Sequence, residues 1–300
     1  MTSPPAWPEI SALLARELGE PVRGPRPLTP PRAARQTWAA QAEAAGELVI
    51  KARCGDRADA KTAWTAAHLP MLGARGYPVP TIRWHGMLDD QWHVTVQNRL
   101  PGRPLTSLAA LTPALLDAVL RLVELQADAG IPAGDRDFIG YVANVLFEDW
   151  DDVWIGAARS SAAGEELCDR LRAWLQPVWG LRLEPADYAN NDLNLSNVLS
   201  DGTQLTGVVD WDEFGLGSRA LDLVALAFDC AMLGDQATAD LLLQRAGSIA
   251  GQDGLRCLVS YRAIAYLGSG FEGYDLDPTL VGRTFSAVLD RLRASDRRLT

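Results

Sequence analysis

The sequence predicts an α+β fold in two lobes, a small β-rich N-lobe over residues 1–99 and a larger, mainly helical C-lobe over residues 100–300. Three observations carry this reading. Strand-type patterning dominates from Val22 to Gln97. A turn-rich joint follows, Leu100-Pro-Gly-Arg-Pro104. Beyond it the apolar residues recur at helical spacing, interrupted by one β-rich island from Tyr188 to Trp211. A chain of 300 residues with 48% hydrophobic and 22% charged residues holds a sizeable core and excludes wholesale disorder.

The elements follow in order. Pro- and Gly-rich residues 19–35 read as loop with a short strand. Glu47-Leu-Val-Ile-Lys-Ala-Arg53 is a β-rich run between Gly46 and Gly55. Asp59 to Leu72 has helical spacing, with Trp64, Ala67, His68 and Met71 on one face. Pro70 should kink or shorten that helix, and Gly73 and Gly76 should stop it. Thr81–Met87 and Gln91–Gln97 read as two strands joined at Asp89-Asp90. Thr112-Pro113 supplies an N-cap and a first-turn proline for a helix striped by Leu115, Leu116, Val119, Leu120 and Val123. Further helices are expected over Glu165–Val178 and from near Ser218, Gly254 and Asp277-Pro278.

The formal net charge of −10 and a pI near 4.8 argue against a nucleic-acid partner, which needs a basic face. An acidic body attracts a cationic small molecule instead. Cys54, Cys168, Cys230 and Cys257 are scattered and only three His accompany them, so a structural zinc site is not expected. Four separated thiols read as reduced, buried side chains, which fits a cytoplasmic location. Residues 1–8 lack the pattern of a signal peptide. The longest mostly apolar stretch, Leu221–Gly234, is too short to span a bilayer and carries Asp222 and Asp229. Oligomeric state has no signature in the sequence.

The island concentrates the chemistry. It reads Asn190-Asn-Asp-Leu-Asn-Leu-Ser-Asn197 and then runs to Val208-Val-Asp-Trp-Asp212. Asp201-Gly202 predicts a two-residue hairpin loop that pairs Ser200 with Thr203 and brings Asp210 opposite Leu193. Asp192, Asn197 and Asp210 then lie together. Such a set suits phosphoryl transfer from a nucleotide. One carboxylate accepts a hydroxyl proton, while an amide oxygen and a second carboxylate hold Mg²⁺ against the phosphates.

Asp192-x-x-x-x-Asn197 followed by Val-Asp-Trp resembles the catalytic and metal-binding segments of the aminoglycoside phosphotransferase family, whose fold is similar to that of protein kinases. The family wording is His-Gly-Asp-Leu-x-x-x-Asn, then Ile/Val-Asp-Trp, a Gly, and Asp-Leu; here Gly215, Gly217 and Asp222-Leu complete it. The resemblance implies a bilobal kinase-like fold with a nucleotide-binding N-lobe and a C-lobe that holds the catalytic and acceptor groups. It implies Asp192 as the base, Asn197 and Asp210 as Mg²⁺ ligands, and Asp222 as a brace for the catalytic loop. Lys51 ends Leu-Val-Ile-Lys where the family's nucleotide lysine lies, and it is one of only two Lys in the chain. Val94–Leu100 resembles the hinge strand, so backbone groups of Gln97, Asn98 and Arg99 are expected at the base of ATP or GTP.

The departures from the family are Asn190 in place of His, no Glu between Lys51 and Asp89, and no Gly in the expected phosphate loop between Leu28 and Thr37. Either Asp56 or Asp59 replaces the missing Glu or the helix sits differently, and Arg32 or Arg35 either contacts phosphate or is an exposed loop arginine. Position 194, two after the catalytic Asp, is Asn where protein kinases carry Lys. Small-molecule acceptors therefore fit better than proteins.

Residues 110–160 hold nine acidic and three basic side chains. Glu148, Asp149, Asp151 and Asp152 alternate there with Phe147, Trp150 and Trp154; Glu272 and Asp275 lie beside Phe271 and Tyr274. Carboxylates among rings suit a polycation. The expected acceptor is a cationic antibiotic, an aminoglycoside or, since Val-Val-Asp-Trp-Asp-Glu resembles enzymes acting on viomycin and capreomycin, a tuberactinomycin peptide. Two alternatives stand beside it, a metabolic kinase for a sugar, amino alcohol or amino acid, and a nucleotide-binding pseudokinase.

Overall fold

A computed structural model describes residues 5–29, 34–55, 58–107, 110–131, 136–148, 155–156, 159, 161–268 and 278–299. Two compact units emerge. The first comprises Met1–Pro104 with Asn197–Asp212, and the second Leu105–Ser196 with Glu213–Thr300. Architecture and chain order are those of a mixed α+β, kinase-like fold.

The first unit is built on a five-stranded antiparallel sheet in the order β1-β2-β3-β5-β4. Its strands are β1 (Val22–Pro27), β2 (Arg35–Ala42), β3 (Gly46–Cys54), β4 (Ile82–Met87) and β5 (Trp92–Asn98). Strand alternation sends Leu48, Ile50 and Ala52 to one face and Val49, Lys51 and Arg53 to the other. The first face is closed by α1 (Trp7–Leu18), whose Ile10, Leu13 and Leu14 pack with Trp38, Ile50, Trp92 and Val94. No element was expected there, yet the signals are ordinary. Pro8 sits in the first turn, the apolar residues recur at helical spacing, and Gly19 ends the helix at φ 73°.

α2 (Ala58–Ala74) corrects an expectation. It runs on through Pro70, so the proline does not shorten it, and it stops between Gly73 and Gly76 as expected, with φ 91° at Gly76. A proline removes one helical donor, but here it does not terminate the helix. The hairpin is corrected too. β8 (Val198–Ser200) pairs with β9 (Leu205–Val208) as Val198↔Val208, Leu199↔Gly207 and Ser200↔Leu205. The loop is thus four residues long rather than two. Its cause is Asp201, whose Oδ1 accepts from the amides of Thr203 and Gln204 and from the Thr203 hydroxyl. β6 (Arg103–Pro104), from the expected joint, pairs with β8. The hairpin groups with the first unit, although the sequence places it inside the helical lobe.

The second unit is helical: α3 (Pro113–Leu125), α4 (Phe138–Ala143), a π-turn at Asn144–Glu148, α5 (Ala162–Leu175), α6 (Arg219–Met232), α7 (Gln236–Gly268) and α8 (Pro278–Leu299). α7 is two helical segments joined at Gly251, which has φ 71° and ψ 170°. α6 is buried on all sides from Ala220 to Phe228, apolar throughout except for Asp222, with Phe228 against Phe285 of α8 at 4.1 Å between ring centroids. A two-stranded ribbon, β7 (Asp187–Ala189) with β10 (Gly215–Gly217), borders the loop at 190–196. Cys168, Cys230 and Cys257 are buried free thiols. Burial pushes Cys168 up to about 11 and the other two up to about 12. No helix among the described residues is long and apolar enough to cross a membrane.

Candidate active site

In the first unit, Lys51 lies in the middle of central strand β3, between Thr37 of β2 and Thr95 of β5. Its side chain is only 12% exposed, so its charge needs a partner. Nζ donates to Oδ1 of Asp210 at 2.8 Å and to Oδ1 of Asp212 at 3.3 Å. Arg53, two residues along the same face, pairs with Asp212 and lies 3.8 Å from Asp210. Arg35 stands opposite Arg53 on β2. Burial lowers the Lys51 pKa, with Asp210 working against it. Burial also acts to raise Asp210, but Lys51, Arg53 and Arg35 outweigh it and hold that carboxyl down at about 2. Among the described residues, carboxylates just beyond the hairpin's second strand partner the lysine. Asp56 lies outside the described residues, as does the Asp59 side chain.

Asn197 and Asp210 share the open end of the hairpin, where the Val209 amide donates to the Asn197 carbonyl at 2.9 Å. Asp210 leaves the strand in the left-handed region, φ 59°, and is 38% exposed. Trp211 anchors the turn: Nε1 donates to the Val208 carbonyl at 2.8 Å, and its ring meets Tyr77 edge-on. A neutral amide oxygen and a carboxylate that stays ionised form a hard donor set, which suits Mg²⁺ because that ion takes few protein oxygens and keeps waters. Among the described residues no three His, Cys, Asp or Glu side chains converge on a metal position. The expected hinge also lies in this unit. Gln97 is buried in β5, the Asn98 amide donates to the Thr81 carbonyl and the Arg99 amide to the Glu47 carbonyl, so those two amides are engaged by the protein itself.

In the second unit, the loop carrying Asp192 is braced from α6. Asp222 is 0% exposed and accepts from Gln126 Nε2 at 2.7 Å, from the Asn190 amide at 2.9 Å and from the Asn191 amide at 2.8 Å. Burial pushes its carboxyl up to about 6 against those three donors. Asp229, two turns along the same helix face, accepts from the Leu195 amide at 2.7 Å. Asn190, where the family has His, is fully buried, and its Oδ1 accepts from the Asp192 amide at 3.1 Å. Asn191 takes φ 63° and its side chain donates to the Glu213 carbonyl. The Asp192 carboxylate is 42% exposed and accepts from Nη2 of Arg262 at 3.0 Å.

Sequence reasoning missed Arg53, Asp212, Asp229 and Arg262. Arg262 and Asp229 had a usable signal, since each is a charged residue inside an apolar helical run. Of the expected acceptor residues, Glu148 ends the π-turn and pairs with Arg182 at 2.7 Å. Phe147 packs edge-on to Trp179. Asp149, Asp151, Asp152, Glu272 and Asp275 lie outside the described residues, as does Arg32.

The profile of the phosphotransferase enzyme family (APH) matches residues 27–258. A viomycin phosphotransferase of Streptomyces vinaceus is 28% identical over 159 residues, which are 50% of this chain and 54% of the relative. The chain thus matches about half the length of that curated relative. Among solved structures, a thermostable mutant of aminoglycoside phosphotransferase APH(4)-Ia in ternary complex with ADP and hygromycin B superposes with a TM-score of 0.68 at 16% identity, covering 94% of this chain and 98% of the other. Aminoglycoside phosphotransferase APH(3'')-Id from Streptomyces rimosus, in complex with ADP and streptomycin, gives 0.60 at 16% identity over 85% and 98%. At such identities the likeness establishes the fold.

Proposed function

The chain belongs to the phosphotransferase enzyme family, and from that premise we propose that it is an antibiotic O-phosphotransferase that moves the γ-phosphate of ATP to a hydroxyl of a cationic antibiotic. The observation that carries this reading is the ion pair between Lys51, on a central strand, and Asp210, at the open end of the hairpin beside Asn197. A lysine buried there and a carboxylate held ionised are the two charges that a nucleotide's phosphates and their metal require.

Lys51 orients the phosphates, and Arg53 adds a second cation on the same face. Asp210 and Asn197 would hold Mg²⁺, which would supply charge neutralisation at the phosphate oxygens. Asp192 accepts the proton of the acceptor hydroxyl. The hydroxyl oxygen forms its bond to the γ-phosphorus as the bond to the β–γ bridging oxygen breaks, and ADP leaves. Backbone groups of the 97–99 segment are assigned to the base. ATP is preferred over GTP as donor because structural neighbours carry ADP. Glu148, Asp149, Asp151, Asp152, Glu272 and Asp275 are assigned to the polycation, and similarity to a viomycin phosphotransferase supports reading a tuberactinomycin peptide beside the aminoglycosides as acceptor. The buried free thiols fit a cytoplasmic enzyme.

The test is turnover of ATP with viomycin, hygromycin B and streptomycin, compared with small sugars and amino alcohols and with no acceptor. A mass gain of one phosphate on an antibiotic is the expected outcome. Gain on a small alcohol alone makes the protein a metabolic kinase, and nucleotide binding with no turnover on any acceptor makes it a pseudokinase. Asp192→Asn is expected to lower kcat at least about a hundredfold while the fold and nucleotide affinity persist, since a general base is worth roughly 10²–10⁴.

A further inference from the structure

Arg262 sits in the second segment of α7 among Leu258, Val259, Ala263 and Ile264, all buried. Its side chain is 8% exposed, a costly place for a guanidinium unless anions face it. Three carboxylates do. Nη2 donates to Asp192 Oδ1 at 3.0 Å, and Asp222 and Asp229 act on it from α6. On its own helix, Tyr261 and Tyr266 are the titratable neighbours, and the guanidinium lies 4.6 Å from the Tyr266 ring centroid. The Tyr266 hydroxyl in turn donates to Asp229 Oδ1 at 2.7 Å, while Asp229 Oδ2 takes the Leu195 amide. Burial opposes the arginine's charge, but Tyr266, Asp192 and Asp229 outweigh it and raise its pKa, so it stays cationic throughout the working range.

The division of labour is visible in the hydrogen bonds. α6 holds the backbone of the loop, through Asp222 at Asn190 and Asn191 and through Asp229 at Leu195. Neither acid can offer the Asp192 carboxylate a positive charge. The loop supplies no cation of its own either, because position 194 is Asn and its side chain turns back to the Asp192 carbonyl at 3.2 Å. From this arrangement we propose that Arg262 is the positioning residue of Asp192: a buried cation on α7 keeps the Asp192 carboxylate ionised and aimed, in place of a cation on the loop. The inference rests on the reading of Asp192 as the base.

The test uses the full chain with ¹³C-carboxyl-labelled aspartate, in wild type, Arg262→Gln and Arg262→Lys, with Asp192→Asn to assign the resonance. The Asp192 titration midpoint is expected to rise by about one pH unit or more in Arg262→Gln, since an adjacent arginine moves an aspartate by roughly 1–3 units. It should return close to the wild-type value in Arg262→Lys, which keeps the charge. With ATP and viomycin, kcat of Arg262→Gln should fall about ten- to hundredfold with the substrate KM values little changed, as misplacement of a reacting group predicts. The acid limb of kcat should move up with the midpoint, and Arg262→Lys should restore it. A midpoint that stays put in a folded Arg262→Gln overturns the proposal, whatever happens to the rate. If Arg262→Gln does not fold, Arg262→Gln/Asp229→Asn is compared with Asp229→Asn alone, which removes one buried cation and one buried anion together. An unmoved midpoint between those two variants overturns it equally. Near wild-type turnover in Asp192→Asn would instead sink the base assignment while leaving the Arg262 pairing standing.

Discussion

Asp222→Ala is the substitution whose cost can be worked most directly from the geometry. The side chain is fully buried and collects three donors: Gln126 Nε2 and the amides of Asn190 and Asn191. Truncation strands all three. A buried donor left unsatisfied costs about 1–3 kcal/mol, so the gross loss is about 3–9 kcal/mol. Against this stands relief of a buried charge. The carboxyl is pushed from 3.8 up to about 6, and at 1.36 kcal/mol per unit that strain is about 3 kcal/mol at neutral pH. The two terms leave a net destabilisation of about 0–6 kcal/mol at pH 7, about 3 kcal/mol at the middle of the range.

The pH dependence has a definite sign. Because the folded pKa lies above the unfolded one, Asp222's protonation favours the fold fully below about pH 4, and that contribution is lost as pH rises through about 6. Urea unfolding of wild type, Asp222→Asn and Asp222→Ala at several pH values between 4 and 8 measures this. Wild type should lose about 3 kcal/mol relative to Asp222→Asn across that window, since the amide does not titrate. A wild-type-to-Asn gap that is flat with pH, or an Asp222→Ala protein more stable than wild type at pH 7, refutes the reasoning.

Other substitutions test the remaining assignments. Asp210→Ala should abolish the Mg²⁺-dependent part of nucleotide affinity, whereas Lys51→Ala should weaken binding and leave the Mg²⁺ dependence; nucleotide titrations with and without Mg²⁺ separate the two. Neutralising Asp149, Asp151 and Asp152 together should raise acceptor KM about tenfold, one decade being about 1.4 kcal/mol. Moderate salt should mimic that variant in the wild type, and kcat should move much less. Gly102→Ala should lower the urea midpoint. Gly102 has φ 100° and an added Cβ would clash with Thr206 Oγ1 and lie 2.9 Å from the Ser200 carbonyl, a strain of about 1–3 kcal/mol.

What was legible in the sequence and what was not divides along the range of the interaction. β3, β4, β5 and the starts of α3, α6 and α8 were found because their signals are local: alternation within a strand, Thr112 and Ser218 as caps, Pro113 and Pro278 in first turns. The hairpin was found, but its register slipped. Asp201-Gly202 is a turn signal in its own right, and the side-chain bonds of Asp201 that lengthen the loop depend on a competing local geometry. Lys51 was identified because a lysine in a central strand demands an anion, wherever that anion comes from. Asp210 and Asp212 were not singled out as its partners because they stand 159 and 161 residues away, beyond any local periodicity. Arg262 poses the same demand 70 residues from Asp192, inside a run that reads as core helix. The physical rule that singled out Lys51 therefore applies to it without change. A cation placed where the pattern allows no water requires a carboxylate, and in this sequence the acids within reach of a catalytic loop are few enough to make that requirement a hypothesis about Asp192.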